Sequence, residues 1–219
     1  MTTRANTLPA HGWRLGLGLA LAVLLSSCSI LSDKPKSAAT IYAPEPHVQA
    51  DPGWPTVTWQ LALTPPTGAR VIDSLRIAVR PTPGEIQVYS GAQWARPPSE
   101  MLQDTLLRAF EDSGRIGAVA RQGSGIAADF RLLLEIRRFE SDYAGQAVPA
   151  ATIEVSAKLL HMRDQKIVAS RTFLQAQPAA STNVADVARA FEQSLVVVGH
   201  DIAGWTLTSG QSYQPATRS

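Results

Sequence analysis

The 219-residue chain reads as an α/β domain, with helices packed on a mixed sheet. Three observations carry that reading. Phe130, Leu132, Leu134 and Ile136 alternate with Arg131, Leu133, Glu135 and Arg137, and Ile153 to Leu159 repeats the pattern, the period of strands with one buried face. Leu102, Leu106 and Phe110 form an i, i+4, i+8 stripe, the period of a helix. Val184, Val187, Phe191, Leu195, Val198, Ile202 and Trp205 recur every three or four residues, which predicts one long amphipathic helix.

The elements follow in order. Thr40 to Thr67 is rich in proline, and within it Val57, Trp59, Leu61 and Leu63 alternate over a strand length. Asp73 to Arg80 places Leu75, Ile77 and Val79 on one strand face, before Pro81-Thr82-Pro83-Gly84 breaks the chain. Ile86 and Val88 begin a short strand that ends near Ser90. Pro98 to Ser113 is a helix: proline suits the first turn and Gly114 the stop, while Glu100, Asp104, Arg108 and Glu111 take the wet side. Ile116 to Arg121 is a short strand. Met162-Arg163-Asp164-Gln165 is a hairpin turn into a strand over 166–177. Thr182 or Asn183 is expected to cap the last helix.

The start of the chain points to the cell envelope. Arg4 and Arg14 precede an apolar run from Leu15 to Leu25, too short to span a membrane, and serines then lead to Cys28, the single cysteine. Leu25-Ser26-Ser27-Cys28 resembles a bacterial lipobox, which implies cleavage before Cys28 and its lipidation; an ordinary signal with a coincidental cysteine is the alternative. The expected division is a signal segment over 1–27, a lipidated tether over 28–40, a domain over 41–209 and a flexible tail over 210–219. Ser29, where an aspartate would favour inner-membrane retention, is compatible with the outer membrane. Loss of Arg4 and Arg14 leaves 18 basic and 18 acidic residues, so no basic face for nucleic acid is expected. Membrane attachment would come from acyl chains, stable once two or more are present. With Cys28 acylated, no thiol remains for disulfide, metal or redox work.

Motifs for chemistry are scarce. His47, His161 and His200 have no second ligand at metal spacing and read as solvated; His11 falls in the signal. Gly123-Ser124-Gly125 reads as a loop, not a nucleophile elbow, and Gly16-Leu17-Gly18 lies in the signal. Glu135, Glu140 and Asp142 are close in sequence, but alternation with arginines makes them a charged strand face. No catalytic residue, cofactor or metal is nominated, and the chain is not expected to be an enzyme.

Tyr89, Trp94 and Arg96 stand out ahead of the first helix as candidate partner contacts. Trp94 is as readily a plug between helix and sheet, since large rings usually bury. Arg96 is the better contact.

These segments resemble the ABC-type transport auxiliary lipoprotein component family, which accompanies MCE-type lipid transporters of Gram-negative bacteria. The resemblance rests on Ile77-Ala78-Val79-Arg80-Pro81, on Tyr89 to Pro98, on Leu102 to Gly114, on Ala128 to Leu132, on Phe139-Glu140-Ser141-Asp142, on Ile167 to Phe173, and on the final helix. The segment Trp94-Ala95-Arg96-Pro97 after a strand pair is its most specific part, and the short loop after Pro81 departs from many relatives. The resemblance implies a single α/β domain of anticodon-binding-domain-like type, Rossmann-like with three layers. It implies a lipid anchor at the periplasmic face of the outer membrane, and an MCE-domain protein as partner, with self-association also open. No catalytic residues come with the family. A lipid- or solute-binding lipoprotein with its own pocket and an envelope hydrolase are the competing readings.

Overall fold

A computed structural model describes Thr2 and residues 38–213. Cys28, the signal segment and residues 214–219 lie outside the described residues. The described residues from Ala39 onward form one compact unit.

The long central strand organises the sheet. It is β7 (Phe130–Asp142), and its thirteen residues let three short strands share one edge. From β2 (Val57–Leu63), Leu61–Leu63 pair in parallel with Phe130–Leu132. From β3 (Thr67–Gly68), Thr67 pairs with Glu135, and from β4 (Arg76–Arg80), Val79 pairs with Ser141. The other edge of β7 pairs antiparallel with β8 (Ala150–His161), which pairs with β9 (Lys166–Pro178). β5 (Gln87–Trp94) lies antiparallel to β4, β1 (Thr40–Tyr42) parallel to β5, and β6 (Ile116–Arg121) parallel to β2. The nine-stranded mixed sheet and two helices, α1 (Pro98–Ser113) and α2 (Val184–Ser212), make the single α/β domain the sequence predicts.

One residue decides which side chains of β7 face the core. Ile136 pairs with Val155 and Arg138 with Glu154, so Arg137 is an extra residue, a β-bulge. Before it Phe130, Leu132, Leu134 and Ile136 are buried; after it the parity flips and Phe139 and Ser141 take that face. Arg138, Glu140 and Asp142 are thereby turned to the opposite side.

Both helices draw on one core. Phe191 of α2 stacks on Phe139 at 4.7 Å between ring centres and meets Trp94 edge-on at 5.2 Å. Leu102, Leu106 and Phe110 of α1 are at most 1 % exposed. Thr105 of α1 packs on Gly199 of α2, where a β-carbon would lie 2.8 Å from the threonine methyl. The two helices therefore pack against each other as well as on the sheet.

Several boundaries differ from the sequence reading. Thr40, assigned to the tether, opens β1. Leu75 precedes β4 and is 45 % exposed, not on the face of Ile77 and Val79. β5 continues past Ser90 to Trp94 because Gly91, at φ 67°, lets the backbone bulge against β4. Residues 210–212, assigned to the tail, extend α2, and Gly210 sits beneath the ring of Trp59.

Helix ends are closed from elsewhere in the chain. Pro97 precedes α1 and offers no side-chain cap; Asp73 Oδ1 instead accepts the Ser99 N–H at 2.9 Å. Gly114 at φ 60° ends α1 in the left-handed conformation. Asn183 occupies the N-cap of α2, but its side chain makes no capping bond; its own N–H donates to Ser181 Oγ at 3.1 Å.

Candidate functional site

The residues singled out in the sequence run along β5 into α1, yet they do not converge on one surface. Tyr89 is half-buried, and its hydroxyl lies 2.9 Å from Ser141 Oγ. Burial pushes its pKa up, against the bond to Ser141, which lowers it. Trp94 is 1 % exposed, held edge-on to Phe139 and Phe191. It is the plug between helix and sheet and offers no side chain to a partner, a correction to its reading as a contact. Arg96 alone reaches outward: its side chain is 42 % exposed and ion-paired with Asp104 in the second turn of α1. Asp104 also takes Arg121 from the end of β6, so two guanidiniums share one carboxylate at this corner.

The carboxylates near the end of β7 are not a uniformly solvated face. Glu135 is, with Arg137 3.6 Å away and both side chains about half exposed. Glu140 is 1 % exposed. Arg80 grips it in a bidentate pair, Nε to Oε1 at 2.8 Å and Nη2 to Oε2 at 2.9 Å, and Arg138 Nε donates to Oε1 at 2.8 Å. Arg138 also pairs with Asp142. Burial alone would raise the Glu140 pKa, but hydrogen bonds from Arg80 and Arg138 and their charges outweigh it, so the carboxyl stays below its ordinary value. Such a carboxylate is held ionised with both oxygens occupied, the chemistry of a structural clamp rather than a proton acceptor. The bulge at Arg137 aims Arg138, Glu140 and Asp142 together; an unbroken alternation puts Glu140 on the core face with Ile136. The visible signal was the run of charges at 138, 140 and 142 with Arg80 ending the neighbouring strand.

The histidines divide. His47 is exposed. His161 is buried, not solvated: its Nδ1 lies 3.0 Å from Asp164 Oδ2, and its ring packs between Phe130 and Tyr213. The Tyr213 hydroxyl donates to the same oxygen at 2.9 Å, which ties the end of α2 to the β8–β9 hairpin. His200 is half-exposed on α2 against Trp54. Among the described residues, no group of three or more His, Cys, Asp or Glu side chains is placed to hold a metal.

Comparison with known proteins fits this arrangement. Residues 40–203 match the family described as ABC-type transport auxiliary lipoprotein component. The chain belongs to that family. The crystal structure of protein XCC0632 from Xanthomonas campestris is 60 % identical, with a TM-score of 0.77 over 79 % of this chain and 97 % of that one. A second solved protein, 15 % identical with a TM-score of 0.59 over 76 % of this chain and 97 % of that one, shares the fold. Protein bll6063 of Bradyrhizobium diazoefficiens is 26 % identical over 156 residues, 71 % of this chain and 41 % of that relative. The chain thus spans about two fifths of the length of the curated relative it matches. The family's description is that of a lipoprotein component auxiliary to ABC-type transport. Among the described residues, no helix is long and apolar enough to cross a membrane.

Proposed function

We propose that this auxiliary component is non-catalytic, that acyl chains on Cys28 anchor it at the periplasmic face of the outer membrane, and that it docks an MCE-type lipid-conducting assembly there. The observation that carries the reading is the family match, which spans nearly the whole compact unit. Two features of the domain support it. The buried Glu140 is saturated by arginines, and the exposed Arg96 sits at a rigid corner where a strand enters a helix, a usual place for contacts carried on a scaffold. The Arg96–Asp104–Arg121 corner is the proposed docking surface.

Two experiments test the reading. Pull-down of the full chain from its native envelope should bring an MCE-domain protein, and Arg96→Glu should reduce the yield. Labelled palmitate should enter the wild type and not Cys28→Ala; equal labelling of both removes the anchor. Native mass spectrometry on the same preparation tests the lipid-binding alternative, since a stoichiometric lipid held by the protein would favour a carrier over a docking module.

A further inference from the structure

The sheet ends in one long free edge. Among the described residues β9 pairs only with β8, whereas the other strands paired on one side are β1, of three residues, β3, of two, and β6, of six. Among the described residues, no backbone hydrogen bond joins the outer edge of β9 to another segment. Proteins blunt such edges with prolines, charges and bulges, because the row of open N–H and C=O groups pairs with any strand that reaches it. β9 has these devices only near its ends: a bulge at Val168, Lys166 at the start and Pro178 at the finish. Between them Ala169 to Gln177 is a regular ladder with a single charge, Arg171, whose guanidinium lies over its own Phe173 at 4.9 Å from the ring centre. Leu174 is 62 % exposed on the side of the sheet away from the helices.

We propose that this edge pairs with the same edge of a second copy, antiparallel, about a two-fold axis through Thr172. The strand's own sequence argues for that occupant. It holds no acid, and its two cations, Lys166 and Arg171, do not oppose each other when the strand pairs with itself. Centred on Thr172, the register sets threonine against threonine, Arg171 against Phe173 of the second copy, and Leu174 against Ser170 of the second copy. No like charges face each other, and the Thr–Thr and cation–aromatic neighbours are favourable pairs. A second copy also supplies an unpaired edge of the same length, and a two-fold contact pairs the long β9 edge of both copies at once. This surface is separate from the Arg96 corner and does not depend on the transport reading.

A cysteine on the axis tests it directly. Opposed residues of antiparallel strands have α-carbons about 4.5–5.5 Å apart, within the roughly 4.4–6.8 Å a disulfide spans. Full-length Thr172→Cys, oxidised in the envelope, should run as a dimer on a non-reducing gel, with Ser170→Cys and Leu174→Cys crosslinking at least several-fold less. Thr172→Lys, which opposes two ammonium groups, should abolish the dimer that sedimentation of the detergent-solubilised wild type is expected to show. Equal crosslinking at 170, 172 and 174, no crosslink at 172, a wild type that sediments as a monomer, or a crosslink to a different protein each overturns the proposal. If Thr172→Lys fails to fold by circular dichroism, the cysteine series decides.

Discussion

Arg80 holds Glu140 by both carboxylate oxygens across adjacent parallel strands, sixty residues apart in sequence. The contact closes the end of β4 onto the end of β7, where Val79 and Ser141 are register partners. Glu140→Gln removes the charge that two guanidiniums share. Breaking one side of a buried pair costs about 3–5 kcal/mol, and because Arg80 and Arg138 are 24 % and 29 % exposed, water recovers part of it. A loss near 3 kcal/mol is expected in urea unfolding.

The same clamp fixes a pH dependence. The Glu140 pKa is lower in the folded protein than the ordinary glutamate value of about 4.3. A depressed acid contributes stability that is fully present above its unfolded pKa and is lost as pH falls through the folded one. The stability difference between wild type and Glu140→Gln should therefore be flat around neutrality and shrink below about pH 4.3. A difference that instead grows on acidification contradicts the clamp.

Asp73 caps a helix that its own sequence leaves uncapped, by accepting the Ser99 N–H. Loss of a side-chain cap costs about 0.5–2 kcal/mol. Asp73→Ala should lower stability by about 1 kcal/mol, while Asp73→Asn, which keeps an accepting oxygen, should recover most of it in the same melting assay.

Glycine to alanine inside a helix is ordinarily stabilising, by about 0.4–1 kcal/mol. At Gly204 the sign should reverse, because a β-carbon there would lie 2.5 Å from Trp54 Nε1 and 3.1 Å from the adjacent ring carbon. Trp54 is 7 % exposed, and a large buried ring has little room to retreat. Overpacking of this kind costs about 1–3 kcal/mol. Gly204→Ala should melt lower than wild type, and a stabilised variant would show that Trp54 is free to move.

The elements with a regular period were legible. The helices α1 and α2 and the strands β2, β7 and β8 announce themselves by spacing, because each buries a face against a single core, while β9 was legible from the hairpin turn before it. What escaped depends on contacts between distant residues. The bulge at Arg137 carries no local signal: arginine suits either strand face, and only the pairing of Ile136 with Val155 and of Arg138 with Glu154 exposes the extra residue. The alternation counted from Phe130 therefore missed the clamp at Glu140. The reading of His161 as solvated failed likewise, since Tyr213 closes over it from the far end of the chain. At the docking corner, Arg96 was legible as an exposed cation, but its tie to Asp104 and Arg121 needs the fold to bring β6 beside α1.

That tie sharpens the contrast between Arg96 and Phe191. Phe191 is fully buried, stacked on Phe139 and edge-on to Trp94. Truncation to alanine removes the central ring of that cluster and should cost about 3–5 kcal/mol, a large share of the roughly 5–15 kcal/mol that holds a domain together. Arg96 is partly exposed, and pairs of that kind contribute about 0–1 kcal/mol. Arg96→Glu sets a second acid beside Asp104, but Arg121 still neutralises that carboxylate, so the melting temperature should move by only a few degrees. If the corner is the docking surface, Arg96→Glu should weaken capture of the partner while Phe191→Ala lowers stability first and capture only as the fold is lost. A chain that keeps full capture with glutamate at position 96 would remove this corner from the interface, and one that unfolds would make the Arg96–Asp104 pair a structural tie between the loop after β5 and α1.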